Sequence, residues 1–181
     1  DSTRFVVKEQ FGSGAKSIGL NLNSQEALAH SKKLRNPIYQ PFVEGKEISI
    51  DAWLSESSKV KGLILRRRDV IHNGESQVTT TFRDKLIEEK IEHILNQFKL
   101  RGPIVMQAII SEDESLNIIE CNPRFGGAST SSIEVGLDLL RWSLLEVVGE
   151  KIENIPFSRL EREVRQIRVP SDLYRSEEHT S

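Results

Sequence analysis

Two apolar runs, residues 104–110 and 116–121, are separated only by the acidic turn Ser-Glu-Asp-Glu-Ser at 111–115. So short a connection joins neighbouring strands antiparallel, because a parallel return needs a crossover of a dozen or more residues. The same economy recurs along the chain. Runs 38–43 and 47–54 flank Glu44-Gly45-Lys46, and 59–69 is followed by 76–82 across His72-Asn73-Gly74. Strand 5–8 faces a return strand at 18–20 across a loop of small residues around Gly12 and Gly14. In 47–54, Ile48, Ile50 and Ala52 alternate with Ser49, Asp51 and Trp53, the period of a strand. Helices are fewer. Ser24 is the expected N-cap of one over 25–35, stopped by Pro37. A second, over 83–98, carries Ile87, Ile91, Ile94, Leu95 and Phe98 on one side. Residues 130–148 read as helix broken near Gly136, and 164–169 as a closing strand. Hairpins mixed with helices predict an α+β fold with antiparallel sheets, not a doubly wound parallel one.

With 181 residues the chain can bury a real core, and a formal net charge of -2 provides no field to recruit nucleic acid or a membrane surface. Its most apolar stretch, 137–148, is short and interrupted by Asp138, Arg141 and Glu146, so no membrane span is expected. Cys121 is the single cysteine, which rules out an intrachain disulfide, and the default compartment is cytoplasmic. The chain opens on Asp1 and enters the apolar Phe5-Val6-Val7 at once, as though mid-domain. Its last seven residues, Arg-Ser-Glu-Glu-His-Thr-Ser, lack periodicity and resemble one frame of a sequencing adapter, so 171–181 is read as a disordered or artefactual tail.

Three patterns carry chemistry. In Glu120-Cys121-Asn122-Pro123-Arg124, Glu120 and Asn122 stand two apart at a strand end and share a face, while Cys121 points the other way. A carboxylate and an amide oxygen are hard donors suited to Mg²⁺, and Gln107 on the neighbouring strand adds a third oxygen. Pro123 ends the ladder and delivers Arg124 to the same space, where a guanidinium can hold two phosphate oxygens. The plainer alternative is a strand ending in a proline turn with a solvated glutamate. The second pattern places Lys8 at a strand end beside Gly12-Ser13-Gly14, a design for phosphate, or else a flexible hairpin tip. It is not a P-loop, since no glycine immediately precedes Lys16 and the four-residue spacer is absent. The third is Gln40-Pro41-Phe42-Val43-Glu44-Gly45-Lys46-Glu47, whose backbone edge near 40–43 could pair with an adenine while Glu47 accepts ribose hydroxyls. An ordinary hairpin is its alternative.

In this order and spacing, the three patterns resemble the ATP-grasp superfamily of ligases, and most nearly its carbamoyl-phosphate-synthase-like, large-subunit-like group. The likeness runs from Val6 to about Gly149. It implies ATP and Mg²⁺ (or Mn²⁺) held between two α+β subdomains, a smaller one over 1–54 and a larger one over 55–170. Position by position it places Lys8 on the α- and β-phosphates and the Gly12, Ser13, Gly14 loop over the triphosphate. It puts Gln40, Phe42 and Val43 at the adenine, Glu47 at the ribose, and Gln107, Glu120 and Asn122 on the metal. Arg124 faces the γ-phosphate or the acyl phosphate, and with Lys8 forms the catalytic pair. The implied reaction is activation of a carboxylate or bicarbonate as an acyl phosphate for an amine-type nucleophile. Synthesis of carbamoyl phosphate and a non-catalytic ATP-binding module are the alternatives. The resemblance also implies an N-terminal domain of the same protein upstream, carrying a further lysine, so the fragment alone is expected to be inactive or to bind ATP weakly. Two departures stand out: Gln40 where relatives carry glutamate, and Glu9 where a proline or small residue is usual.

Among the remaining residues, Arg66 and Arg68 share a strand face that Arg67 opposes, as part of the site or of a charged edge strand. His72 and His93 are expected at the surface, Trp53 and Trp142 in the core, and Cys121 as a small core residue and not a nucleophile.

Overall fold

The computed structural model describes residues 3–12, 17–72 and 74–171. Two antiparallel sheets organise them. The smaller has the order β2-β1-β3, from β1 (Phe5–Glu9), β2 (Gly19–Leu22) and β3 (Pro37–Pro41). The larger has the order β8-β7-β4-β5-β6-β9, from β4 (Lys46–Leu54), β5 (Val60–His72), β6 (Glu75–Phe82), β7 (Gly102–Ile110), β8 (Leu116–Asn122) and β9 (Arg165–Ile167). Four α-helices accompany them: α1 (Ser24–Ser31), α2 (Lys85–Leu95), α3 (Thr130–Glu134) and α4 (Leu139–Val147). The α+β architecture with antiparallel sheets is as the hairpin spacings predicted. The chain passes between the sheets at 42–45, so Lys46–Leu54, grouped by sequence with the smaller unit, is instead hydrogen bonded between β5 and β7 in the larger one.

Both faces of the larger sheet are covered, but not equally. On one face Ile48, Ile50, Ala52, Leu54, Leu63, Leu65, Ile104, Met106 and Ala108 form an apolar layer closed by Ile91 and Leu95 of α2. Asp84 caps that helix by accepting the Ile87 N–H. Each large aliphatic chain buried this way contributes about 1.5–3 kcal/mol. On the opposite face, Trp53 and Ile64 pack under Val135, Leu137, Leu139 and Trp142 of the α3–α4 segment. Trp53 and Trp142 meet edge to face at 5.8 Å. Gly136, at φ 107°, makes the break between α3 and α4. These helices cover only the lower part of that face. Across that face polar side chains stand in a row set by register, Arg66 opposite Ser49, Ser49 opposite Gln107 and Gln107 opposite Glu120, the first two buried and the row opening toward β8.

Several local expectations shift. Asn23, not Ser24, caps α1: its side chain accepts the Glu26 N–H while Glu26 accepts the Asn23 N–H, a reciprocal box. That helix ends at Ser31, short of 35, because Glu9 captures the N–H groups of Arg35 (2.5 Å) and Asn36 (3.0 Å) and draws the chain toward β3. This gives the unusual Glu9 a role: it ties β1 to the turn before β3. Strand β5 lies between β4 and β6, so the charged-edge reading of Arg66, Arg67 and Arg68 is overturned. Those side chains are matched to carboxylates instead. Finally, β8 carries one extra residue. Gln107 faces Glu120 but Ala108 faces Ile118, leaving Ile119 as a bulge.

Candidate functional site

The smaller sheet meets the larger at the β8 edge, and Lys8 makes the contact. Its ammonium lies 3.9 Å from Glu120 Oε2 and 3.5 Å from the Ile119 carbonyl oxygen. The lysine side chain is 13% exposed, Glu120 42%. Gln40, on β3, donates its amide to the same Ile119 carbonyl at 3.2 Å. The bulge explains the convergence, since a residue left out of the ladder turns its carbonyl to other donors.

Beyond the bulge, Glu120 and Asn122 share a face as their spacing predicts, and Asn122 Nδ2 donates to Glu120 Oε1 at 2.8 Å. Gln107 sits directly across from Glu120. After Pro123 the chain turns: the Arg124 N–H donates to the Asn122 carbonyl at 2.8 Å, and the exposed guanidinium donates to Phe125 O at 2.9 Å. Positions 107, 120 and 122 thus gather with Lys8 at one strand end, and Arg124 follows them on the exposed turn. The chemistry of these donors fits Mg²⁺. They supply one carboxylate and two amide oxygens, and among the described residues no group of three or more His, Cys, Asp or Glu could hold an ion alone. An ion here would need phosphate oxygens or water to complete its shell, which is the habit of Mg²⁺.

The nucleotide-edge residues are placed less uniformly. β3 is an edge strand, but the Phe42 N–H is spent on the Arg4 carbonyl at 2.8 Å. Phe42 and Val43 line an open depression together with Glu44 and the 111–117 turn. Glu47 points along the polar rows and is paired with Arg68, whose guanidinium also holds Ser76 Oγ at 2.9 Å and Gly74 O at 2.8 Å. Gly12 is exposed beside Glu9, while Ser13 and Gly14 lie outside the described residues, as does the tail beyond 171. Cys121 points into the α2-side core, and burial pushes its thiol pKa up, away from nucleophile behaviour. His72 and His93 are exposed.

Sequence reading missed the centre of the face. Asp51 and Arg66 form a buried pair, Nε to Oδ2 2.7 Å and Nη2 to Oδ1 3.1 Å, with their side chains 0% and 3% exposed. Ser129 donates to Asp51 Oδ1 at 2.8 Å and Ser132 to Oδ2. The available signal was a carboxylate two residues before Trp53 on the same strand face, where burial demands a partner.

A family model described as "ATP-grasp in the biosynthetic pathway with Ter operon" matches residues 33–170. Among curated proteins, the multifunctional protein CAD of Squalus acanthias is 26% identical over 138 residues, 71% of this chain and 6% of that protein. Among solved structures, the biotin carboxylase domain of Hydrogenobacter thermophilus 2-oxoglutarate carboxylase, in complex with MgADP, ADP and bicarbonate, superposes with a TM-score of 0.75. Its identity is 15%, over 91% of this chain and 41% of that one. N5-carboxyaminoimidazole synthetase of Staphylococcus aureus, complexed with ADP, gives 0.72 at 19% identity over 92% of this chain and 46% of that one. At such identities the likeness is one of fold. The chain spans less than half the length of these structures and a small part of the curated relative. No helix among the described residues is long and apolar enough to cross a membrane. With the matched model covering most of its length and the sheets arranged as in these relatives, the chain belongs to the ATP-grasp family.

Proposed function

We propose that this chain forms the nucleotide-binding cleft of an ATP-dependent ligase joining a small-molecule carboxylate to an amine-type nucleophile. The observation that carries the reading is the approach of Lys8, from one sheet, to within 3.9 Å of Glu120 at the strand end of the other. An ammonium beside a carboxylate and two amides is an arrangement for a metal–triphosphate, because each charge offsets another. ATP bound there would supply the phosphoryl group that turns an unreactive carboxylate into an acyl donor. Lys8 and Arg124 would neutralise phosphate charge, and Gln107, Glu120 and Asn122 would hold Mg²⁺ (or Mn²⁺). Gln40, Phe42 and Val43 would meet the base, and Glu47 the ribose. The Gly12, Ser13, Gly14 loop would cover the phosphates. Bicarbonate falls within the same acid class, and the related 2-oxoglutarate carboxylase domain is solved with it. The two sheets act in this reading as the two subdomains, hinged at 42–45.

Glu120→Ala in the full-length protein tests it. Mg-ATP should raise the melting temperature of the wild type, as any ligand of the folded state does, and should no longer raise it in the variant. ATP turnover should vanish with it. A variant with the wild-type rise in melting temperature would sink the proposal.

A further inference from the structure

Ser129 stands at the N-cap of α3 and has the right side chain to cap it, yet makes no capping bond. Its hydroxyl donates to Asp51 Oδ1 at 2.8 Å and accepts the Gly126 N–H at 2.9 Å. The Ser129 N–H returns to the Gly126 carbonyl at 3.1 Å, closing the loop that leaves β8. That loop is tightly seated: a Cβ on Gly126 would stand 3.0 Å from Val105 and 3.1 Å from Ser129 Oγ. Arg124 is two residues before Gly126. Ser132 Oγ holds the second Asp51 oxygen, so both oxygens are shared between Arg66 and the loop–helix segment. A residue that gives up its local role for a distant partner marks a site where something other than helix stability is at stake. A buried ion pair is a weak route to stability compared with apolar packing, whereas its directional bonds fix one arrangement.

We propose that Asp51, braced by Arg66, is a positioning residue that acts through Ser129 to hold the Arg124 loop in the geometry needed to meet the terminal phosphate. The inference rests on the nucleotide cleft proposed above and adds what orders it. Asp51 touches no ligand in this account. It fixes Ser129, Ser129 fixes Gly126, and the turn carrying Arg124 inherits one conformation.

Only ATP carries the phosphate that Arg124 would face, so the ratio of Mg-ATP to Mg-ADP affinity reports the loop, while the ADP affinity reports the rest of the cleft. The experiment measures both by calorimetry on the full-length protein. Ser129→Ala is expected to weaken Mg-ATP at least tenfold and to leave Mg-ADP within twofold, with Ser129→Thr restoring the ratio. Arg124→Ala should give the same pattern, and the double variant should be no worse than Arg124→Ala alone. Amide exchange at Gly126 should quicken in Ser129→Ala. A Ser129→Ala protein that keeps the wild-type ratio, while Arg124→Ala lowers it, overturns the positioning role. If neither Arg124→Ala nor Glu120→Gln alters nucleotide binding, the cleft itself is overturned and the positioning role falls with it.

Discussion

Asp51 and Glu47 stand on the same face of β4, each joined to a guanidinium of β5, and the two pairs live under different rules. Asp51 and Arg66 are sealed beneath α3, with both carboxylate oxygens committed. Glu47 is 34% exposed and Arg68 9%, above the cover, where the face opens. In the sealed pair neither charge can leave without stranding the other away from water, so the bond acts as a fixture. In the open pair water reaches Glu47, and Arg68 keeps Ser76 and the Gly74 carbonyl as partners, so Glu47 can exchange Arg68 for another donor, such as a ribose hydroxyl, at smaller cost. One strand thus carries a locked and an exchangeable version of the same bond, divided only by the edge of the α3–α4 cover.

Truncating the sealed carboxylate is the hardest test of this contrast. Asp51→Ala should cost about 3–5 kcal/mol in urea unfolding, because Arg66 is left buried and unpaired. Asp51→Leu with Arg66→Met should recover most of it. A loss below about 1 kcal/mol for Asp51→Ala would put both pairs in the solvated class. The open pair should behave oppositely. Glu47→Gln should change stability by less than about 1 kcal/mol, yet weaken Mg-ATP about tenfold through one charge-assisted bond. Equal losses in stability for the two variants would erase the distinction.

Glu9 extends the comparison to a half-exposed carboxylate on the smaller sheet. The Arg35 and Asn36 N–H groups hold its pKa below the ordinary glutamate value. A depressed folded pKa contributes stability above the unfolded value of about 4.3, lost as pH falls through the lower folded value. The melting difference between wild type and Glu9→Gln should therefore be present at neutral pH and disappear in acid. A pH-independent difference would mean the contact acts by shape and not by charge. The smallest effect concerns Cys121, whose raised pKa predicts slow labelling by a thiol reagent at neutral pH until the protein unfolds. Fast labelling of the native protein would mean that the α2-side core opens at that strand.

The sequence made legible whatever depends on local periodicity. The hairpins of the larger sheet, the face shared by Glu120 and Asn122, the inward Cys121 and the break at Gly136 follow from side-chain alternation or from the conformational freedom of one glycine. What stayed hidden depends on partners far apart in the chain. Glu47 looked free because Arg68 lies 21 residues away. Asp51 looked like one polar member of an alternating strand because Ser129 is 78 residues away. The sheet assignment of Lys46–Leu54 required knowing that β7, not β3, is its neighbour. Helix ends moved for a similar reason, since Glu9 and Asn23 compete for backbone groups that propensity alone leaves to the helix.

The extra residue at Ile119 makes strand length part of the chemistry. Ile119 is extra to the ladder, so deleting that one position would restore an unbroken one, with Ile118 on Ala108 and Glu120 on Gln107 as before. Glu120, Cys121 and Asn122 would keep their partners and their faces, while the carbonyl on which Lys8 and Gln40 converge would be lost. A single codon lost here would thus leave every side chain of the motif in register and remove the carbonyl anchor through which the smaller sheet reaches the strand end.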